Sequence, residues 1–110
     1  MRNLIISALF LTVSGVALPV ASAHAGDAQA GKVKAYTCTG CHGIPGYNNV
    51  YPTYKVPKIG GQNYEYLTAA LKAYRAGERH HKTMELQAAS LSDTDIDDIS
   101  AYFASLGNSN

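Results

Sequence analysis

Residues 38 to 42 read Cys38-Thr39-Gly40-Cys41-His42 and contain the only two cysteines of the 110-residue chain. Two thiols separated by two residues support three kinds of chemistry. A structural disulfide would close so short a loop that it removes little unfolded-state entropy. A thioredoxin-like redox pair belongs at the start of a helix that follows a strand in a βαβ unit, and no strand-like run precedes Cys38. Covalent attachment of haem c is the third, and C-x-x-C-H is its direct signature. Each thiol would add across one of two vinyl groups on adjacent pyrroles, and the next residue would set an imidazole against the iron. A neutral imidazole is a suitable iron ligand, and a backbone carbonyl can fix its other ring nitrogen. Zinc is a weaker reading, because from Gly26 onward the only histidines besides His42 are His80 and His81, which are adjacent rather than three to five residues apart.

Composition bears on the same question. The chain is 46% hydrophobic and 15% charged, but the first 25 residues hold 16 of the apolar side chains. From Gly26 to Asn110 only thirteen residues are Leu, Ile, Val or Phe. A segment this short and this poor in large aliphatics needs a disulfide set, a metal or another staple to hold one fold. Positive and negative side chains balance over that segment at eight each. A multidomain enzyme, a nucleotide-binding α/β domain and a strongly basic nucleic-acid binder are all excluded.

Residues 1–25 begin with Arg2, continue through an apolar run from Leu4 to Leu18, break at Pro19 and end in Ala23-His24-Ala25. That is the pattern of a secretory signal peptide cut before Gly26. Export would place residues 26–110 in the periplasm of a Gram-negative cell. An uncleaved membrane span is the alternative, weakened by Thr12, Ser14, Gly15 and Pro19 within the run.

Three helices are expected to hold the motif. Asp27 can cap a first helix that runs to about the cysteines, with Gly31 in its middle at a cost of about 1 kcal/mol relative to Ala. A second runs from about Asn63 to Ala76, with Tyr64, Leu67, Leu71 and Tyr74 on one stripe and Gly77 as its stop. The third starts at Ser92, carries Asp93 and Asp95 in its first turn and buries Ile96, Ile99, Phe103 and Leu106 before Gly107 ends it. Between His42 and Asn63 neither period fits, and a loop of that length counts against a compact domain unless it packs on something. A cofactor would supply that surface, with Tyr47, Tyr51 and Tyr54 as candidate apolar rings.

The sequence resembles the small class I c-type cytochromes of bacteria, including single domains of the dihaem periplasmic type. The resemblance covers residues 26–110 and rests on Cys38 to His42, on Pro57-Lys58-Ile59-Gly60-Gly61-Gln62, on Met84, and on Leu91-Ser92-Asp93 opening a helix that reads Ile99-Ser100-Ala101-Tyr102-Phe103. It implies an all-α class I cytochrome c fold, with three main helices and a long loop wrapped around one covalently attached haem. It also implies that Gly31 admits the terminal helix close to the first, and that the Pro57 carbonyl receives the hydrogen bond of the proximal imidazole.

Met84 is the only methionine after the signal segment, and a lone methionine is usually core filler. In the class I fold a loop between the second and third helices crosses the distal face, and the family places its ligand shortly before a run like Ala88-Ala89-Ser90-Leu91-Ser92-Asp93. The resemblance therefore makes Met84 the sixth ligand opposite His42, with Cys38 and Cys41 holding the haem. Bis-histidine iron through His80 or His81 is the rival, although both histidines are expected to be exposed in a basic turn with Arg79 and Lys82.

The function implied is that of a periplasmic monohaem electron carrier that passes single electrons between redox partner proteins, periplasmic or membrane-bound. It would have no catalytic residue, no small-molecule substrate and no nucleic-acid partner. A haem enzyme or sensor with a displaceable distal ligand is the alternative, and a secreted thiol–disulfide module is a third reading. Charge is segregated, with residues 32–82 carrying +6 and residues 83–110 carrying −5, which suggests a dipole that could steer docking.

Overall fold

A computed structural model describes residues 26–43, 46–50 and 53–108. The expected signal peptide, residues 1–25, and Tyr51 lie outside the described residues. Asp27 caps the first helix as its type predicts, its Oδ1 accepting from the Gln29 N–H at 2.8 Å. The helix is not continuous to the motif. It divides into α1, Ala28–Lys34, and α2, Tyr36–His42, at Ala35, whose ψ of 5° lies outside the helical range. Backbone bonds still cross the division, from Ala35 N–H to Gly31 and from Thr39 N–H to Ala35.

The second expected helix is α3, Tyr64–Ala76, capped by the Asn63 side chain and stopped at Gly77. The third is α5, Asp93–Ser105. Ser92 and Asp95 cap it reciprocally, Ser92 Oγ accepting from the Asp95 N–H at 3.1 Å and Asp95 Oδ2 from the Ser92 N–H at 3.0 Å. Between them lies α4, Lys82–Ala89, where the sequence reading placed a loop. A 3-10 turn, Leu106–Asn108, follows α5. Among the described residues the only β pairing is a single antiparallel bridge, Asn48 with Lys55.

The core is small. Ala35, Leu67, Ile99 and Phe103 form its centre, with Cys38, Ile59, Leu71, Leu91 and Tyr102 packed against it. Leu106, expected on the buried stripe of α5, is 44% exposed. The backbone passes from α to 3-10 geometry at that residue, so the 3.6-residue period that would aim it inward no longer applies.

Gly31 is where α1 and α5 cross. A Cβ there would overlap the Asp98 carbonyl and lie 2.9 Å from Tyr102 Cβ, so only glycine lets the two backbones approach this closely. Asp98 is itself buried, and it ties both ends of α1 to α5. Its Oδ1 accepts from the Asp27 N–H at 2.7 Å, and its Oδ2 accepts from Lys34 Nζ at 2.6 Å. Lys34 also pairs with Asp95 at 2.9 Å. The Lys34 ammonium holds both carboxyls below the usual range, Asp95 at about 2 with help from Ser92. Groups with depressed folded-state pKa values contribute stability above their unfolded pKa, and that contribution is lost only as pH falls toward the folded value.

Gly31→Ala gains about 1 kcal/mol of helix propensity but forces a methyl group into the α5 backbone, and overpacking of this kind costs about 1–3 kcal/mol or more. The holoprotein variant is expected to be the less stable, with a lower denaturant midpoint and an unchanged slope. A midpoint at or above wild type would show that the helices can separate at no cost.

Candidate functional site

The side chains singled out by the sequence come together. Cys38, Cys41, His42 and Met84 all line one mostly apolar cavity of about 400 Å³. Every helix except α1 contributes to its wall: α2 through the cysteines and His42, α3 through Leu67 and Leu71, α4 through Met84, and α5 through Ile99 and Phe103. The loop between α2 and α3 closes the rest with Tyr54, Val56, Pro57 and Ile59. Tyr54 is thus a wall residue, whereas Tyr47 lies outside the wall and serves the loop through its carbonyl, which accepts from the Val56 N–H at 3.0 Å.

His42 ends α2 with its ring fixed. Nδ1 donates to the Pro57 carbonyl at 2.6 Å, so that in the neutral ring Nε2 is the nitrogen open to a ligand role. The backbone contact expected from the family pattern is therefore present. Pro57 can play this part because its carbonyl is not drawn into any ladder in an extended loop.

Cys38 and Cys41 are free thiols, both half-buried, one helical turn apart on α2. Burial pushes the Cys38 thiol up. Among the described residues no three His, Cys, Asp or Glu side chains converge as a metal-binding cluster, so a zinc site gains no donor set. A pair of His42 and Met84 falls outside such a cluster, since a thioether is not one of those donors.

Met84 sits in the first turn of α4 rather than in an open loop. That turn is anchored on both sides. His81 Nδ1 accepts from the Met84 N–H at 3.4 Å, and the His81 N–H donates to Glu85 Oε1 at 2.9 Å. Tyr54 meets the His81 ring edge-on with centroids 4.4 Å apart, and the Tyr54 hydroxyl is hydrogen-bonded to Thr83 Oγ1 at 3.0 Å. The two histidines thus part company: His80 is 84% exposed, whereas His81 is half-buried and lines the cavity, contrary to the expectation that both face solvent. Its role as a helix cap accounts for the difference, because capping turns the ring inward over the first turn of α4.

Two further wall residues gave no signal in the sequence. Arg79 lies with its guanidinium 4.8 Å from the Tyr74 ring centroid and donates to the Tyr66 hydroxyl at 3.3 Å, so a cation stacked on one aromatic face and bonded to a second tyrosine stands at the cavity wall. Ser100 is fully buried on α5 beside the cavity, and its Oγ finds no hydrogen-bond partner. An apolar cavity of this size, left empty, is costly for the protein alone. A large flat macrocycle answers these features. It would fill apolar space, and thioether formation at Cys38 would remove an ionisable thiol from a site that disfavours its charge. The residues present fit haem c.

Comparison with known proteins agrees with the geometry. The family model described as Cytochrome c matches residues 28–107. Cytochrome c-554(548) of Halomonas halodenitrificans is 45% identical over 84 residues, covering 74% of this chain and 98% of that protein. Cytochrome c4 of Pseudomonas aeruginosa is 42% identical over 106 residues, covering 96% of this chain but 49% of its own length, so the chain spans about half of that relative. Among solved structures, a thiosulfate dehydrogenase from Marichromatium purpuratum superposes with a TM-score of 0.61 at 30% identity, over 82% of this chain and 21% of that one.

Proposed function

The chain belongs to the cytochrome c family, and from that premise we propose that it is a monohaem electron carrier whose iron lies between His42 and Met84. The observation that supports this most is the convergence of Cys38, Cys41, His42 and Met84 on one apolar cavity. Haem c supplies a one-electron ferrous–ferric couple, and the remaining tasks fall to the protein. Cys38 and Cys41 would hold the group by two thioethers. His42 presents Nε2 while the Pro57 carbonyl holds its Nδ1 proton, which fixes the ring plane and raises its basicity. Met84 offers a neutral thioether, which favours the ferrous state and raises the potential. Leu67, Leu71, Ile99 and Phe103 keep water from the site, which acts in the same direction.

With His42 and Met84 both holding the group, the site would leave no open position for oxygen or substrate. Electron exchange with a protein partner is then the activity left. In this reading residues 1–25 are a signal peptide removed on export, and residues 26–110 form the periplasmic domain. The thiosulfate dehydrogenase neighbour is an enzyme that contains a related domain. A permanent place for this chain in a larger redox assembly is compatible with the same electron-carrying role.

Charge supports docking by an acidic partner. In the carboxyl-terminal part of the chain, Asp93 is occupied by Arg75, and Asp95 and Asp98 by Lys34. Lys55, Lys58 and Lys82 are exposed and form no ion pair among the described residues, and Lys55 and Arg79 border the cavity. The surface near the cavity is therefore net cationic. The electron-exchange rate with ferricyanide, an anionic reagent, is expected to fall as salt is raised from about 10 mM to 0.15 M, over which the Debye length contracts from about 30 Å to 8 Å. A flat profile would remove electrostatic steering from the mechanism.

A further inference from the structure

We infer that His81 is the positioning residue for the distal ligand: its side chain holds the first turn of α4 in the one arrangement that keeps Met84 in the cavity. The inference rests on the reading of Met84 as the axial ligand and goes beyond it by naming what holds the thioether in place.

The geometry is specific. Met84 is the third residue of α4, so its backbone N–H has no partner within the helix and must be met by a cap. His81 Nδ1 meets it at 3.4 Å, and the same residue's N–H is met by Glu85 Oε1 at 2.9 Å. Acceptance at Nδ1 requires a neutral ring with its proton on Nε2. The ring cannot swing away freely, because the Tyr54 ring packs edge-on against it and Tyr54 is tethered to Thr83 in the same turn. Packing alone gives α4 little support: Leu86 is 76% exposed, and Ala88 is its only buried residue. A helix of eight residues with so little buried surface is marginal, so its capping contacts weigh heavily in whether the turn carrying Met84 stays formed.

The chemistry that follows is a local opening equilibrium. When the first turn frays, Met84 leaves the cavity and an external ligand can take its place. Loss of the cap shifts that equilibrium toward the open form while His42 and the two thioethers remain untouched.

The test is imidazole binding to the ferric holoprotein, followed by loss of the thioether-to-iron charge-transfer band at the red edge of the visible spectrum. His81→Ala is expected to bind imidazole about fivefold more tightly than wild type, the change equivalent to one helix cap. His81→Asn, which is smaller than histidine but keeps a capping acceptor, is expected to restore wild-type affinity, which separates capping from simple widening of the cavity. Ser92→Ala removes the cap of α5 instead and is expected to lower thermal stability while leaving imidazole affinity unchanged. Equal affinity in wild type and His81→Ala, or an Asn variant as weakly protected as the Ala variant, would overturn the role of His81. A wild-type protein with no thioether band would overturn it too, and would be recognised as failure of Met84 ligation, because Met84→Ala would then match wild type in the same titration.

Discussion

Prepared without haem, residues 26–110 are expected to be largely unfolded, with weak far-UV helical circular dichroism and collapsed proton chemical-shift dispersion. The expectation follows from the size of the hole relative to the size of the core. Among the described residues the buried hydrophobics are Ala35, Leu67, Ala88, Ile96, Ile99, Ala101 and Phe103, three of them alanines, and the cavity beside them measures about 400 Å³. At roughly 24 cal/mol per Å³ of unfilled volume, an empty cavity of that size costs up to about 10 kcal/mol. The total stability of a small domain is about 5–15 kcal/mol. Partial opening to solvent reduces the penalty, but the apolar wall gives entering water few partners. The contacts that would survive, Asp98 with Lys34 and the paired caps at Ser92 and Asp95, position helices without replacing the lost interior. A dispersed spectrum and a cooperative thermal transition in the apoprotein would show that the thirteen Leu, Ile, Val and Phe residues suffice after all.

Met84→Ala is expected to turn a closed site into an open one. The reduced variant should bind carbon monoxide rapidly at neutral pH, and its potential should fall by on the order of 0.2 V, part of the roughly 0.8 V over which axial ligands tune haem. Both changes have one cause, the loss of a soft, neutral donor that favours the ferrous state and fills the sixth position. Met84→His separates them: a second imidazole keeps carbon monoxide out but still lowers the potential. Redox titration and carbon monoxide spectroscopy on the three proteins read the outcome. Rapid carbon monoxide binding by the reduced wild type would favour a haem enzyme or sensor with a displaceable ligand over an electron carrier.

The parts of the fold legible in the sequence are those with a local chemical signature. Asp27 and Ser92 marked the starts of α1 and α5 because a short polar side chain before a helix satisfies orphaned N–H groups. Gly31 was informative because glycine in mid-helix needs a reason, and the Asp98 carbonyl supplies it. The site was legible for a similar reason, since C-x-x-C-H demands a particular chemistry wherever the chain folds.

What the sequence hid has no such signature. Helix α4 lacks an apolar stripe, with Leu86 pointing to solvent, and its cap is a histidine, a residue type with no strong capping preference. Nothing in side-chain type therefore corrected the loop in which the family resemblance placed Met84. Asp98 carries no mark of its own among the aspartates of residues 93–98, because a charge pattern does not say which carboxylate will meet Lys34 and the Asp27 N–H. The loop that carries Tyr47, Tyr54 and Pro57 is ordered by backbone pairings, Asn49 to Tyr54 and Val56 to Tyr47, which leave no pattern in side-chain type.

The alkaline pyridine haemochrome spectrum of the chain, exported together with haem-c maturation factors and extracted with acidified acetone, bears most directly on the central claim. One haem per chain should remain with the protein, and its bands should be those of a haem with both vinyl groups saturated by Cys38 and Cys41. Haem that leaves with the acetone, or a chain that retains none, would contradict it.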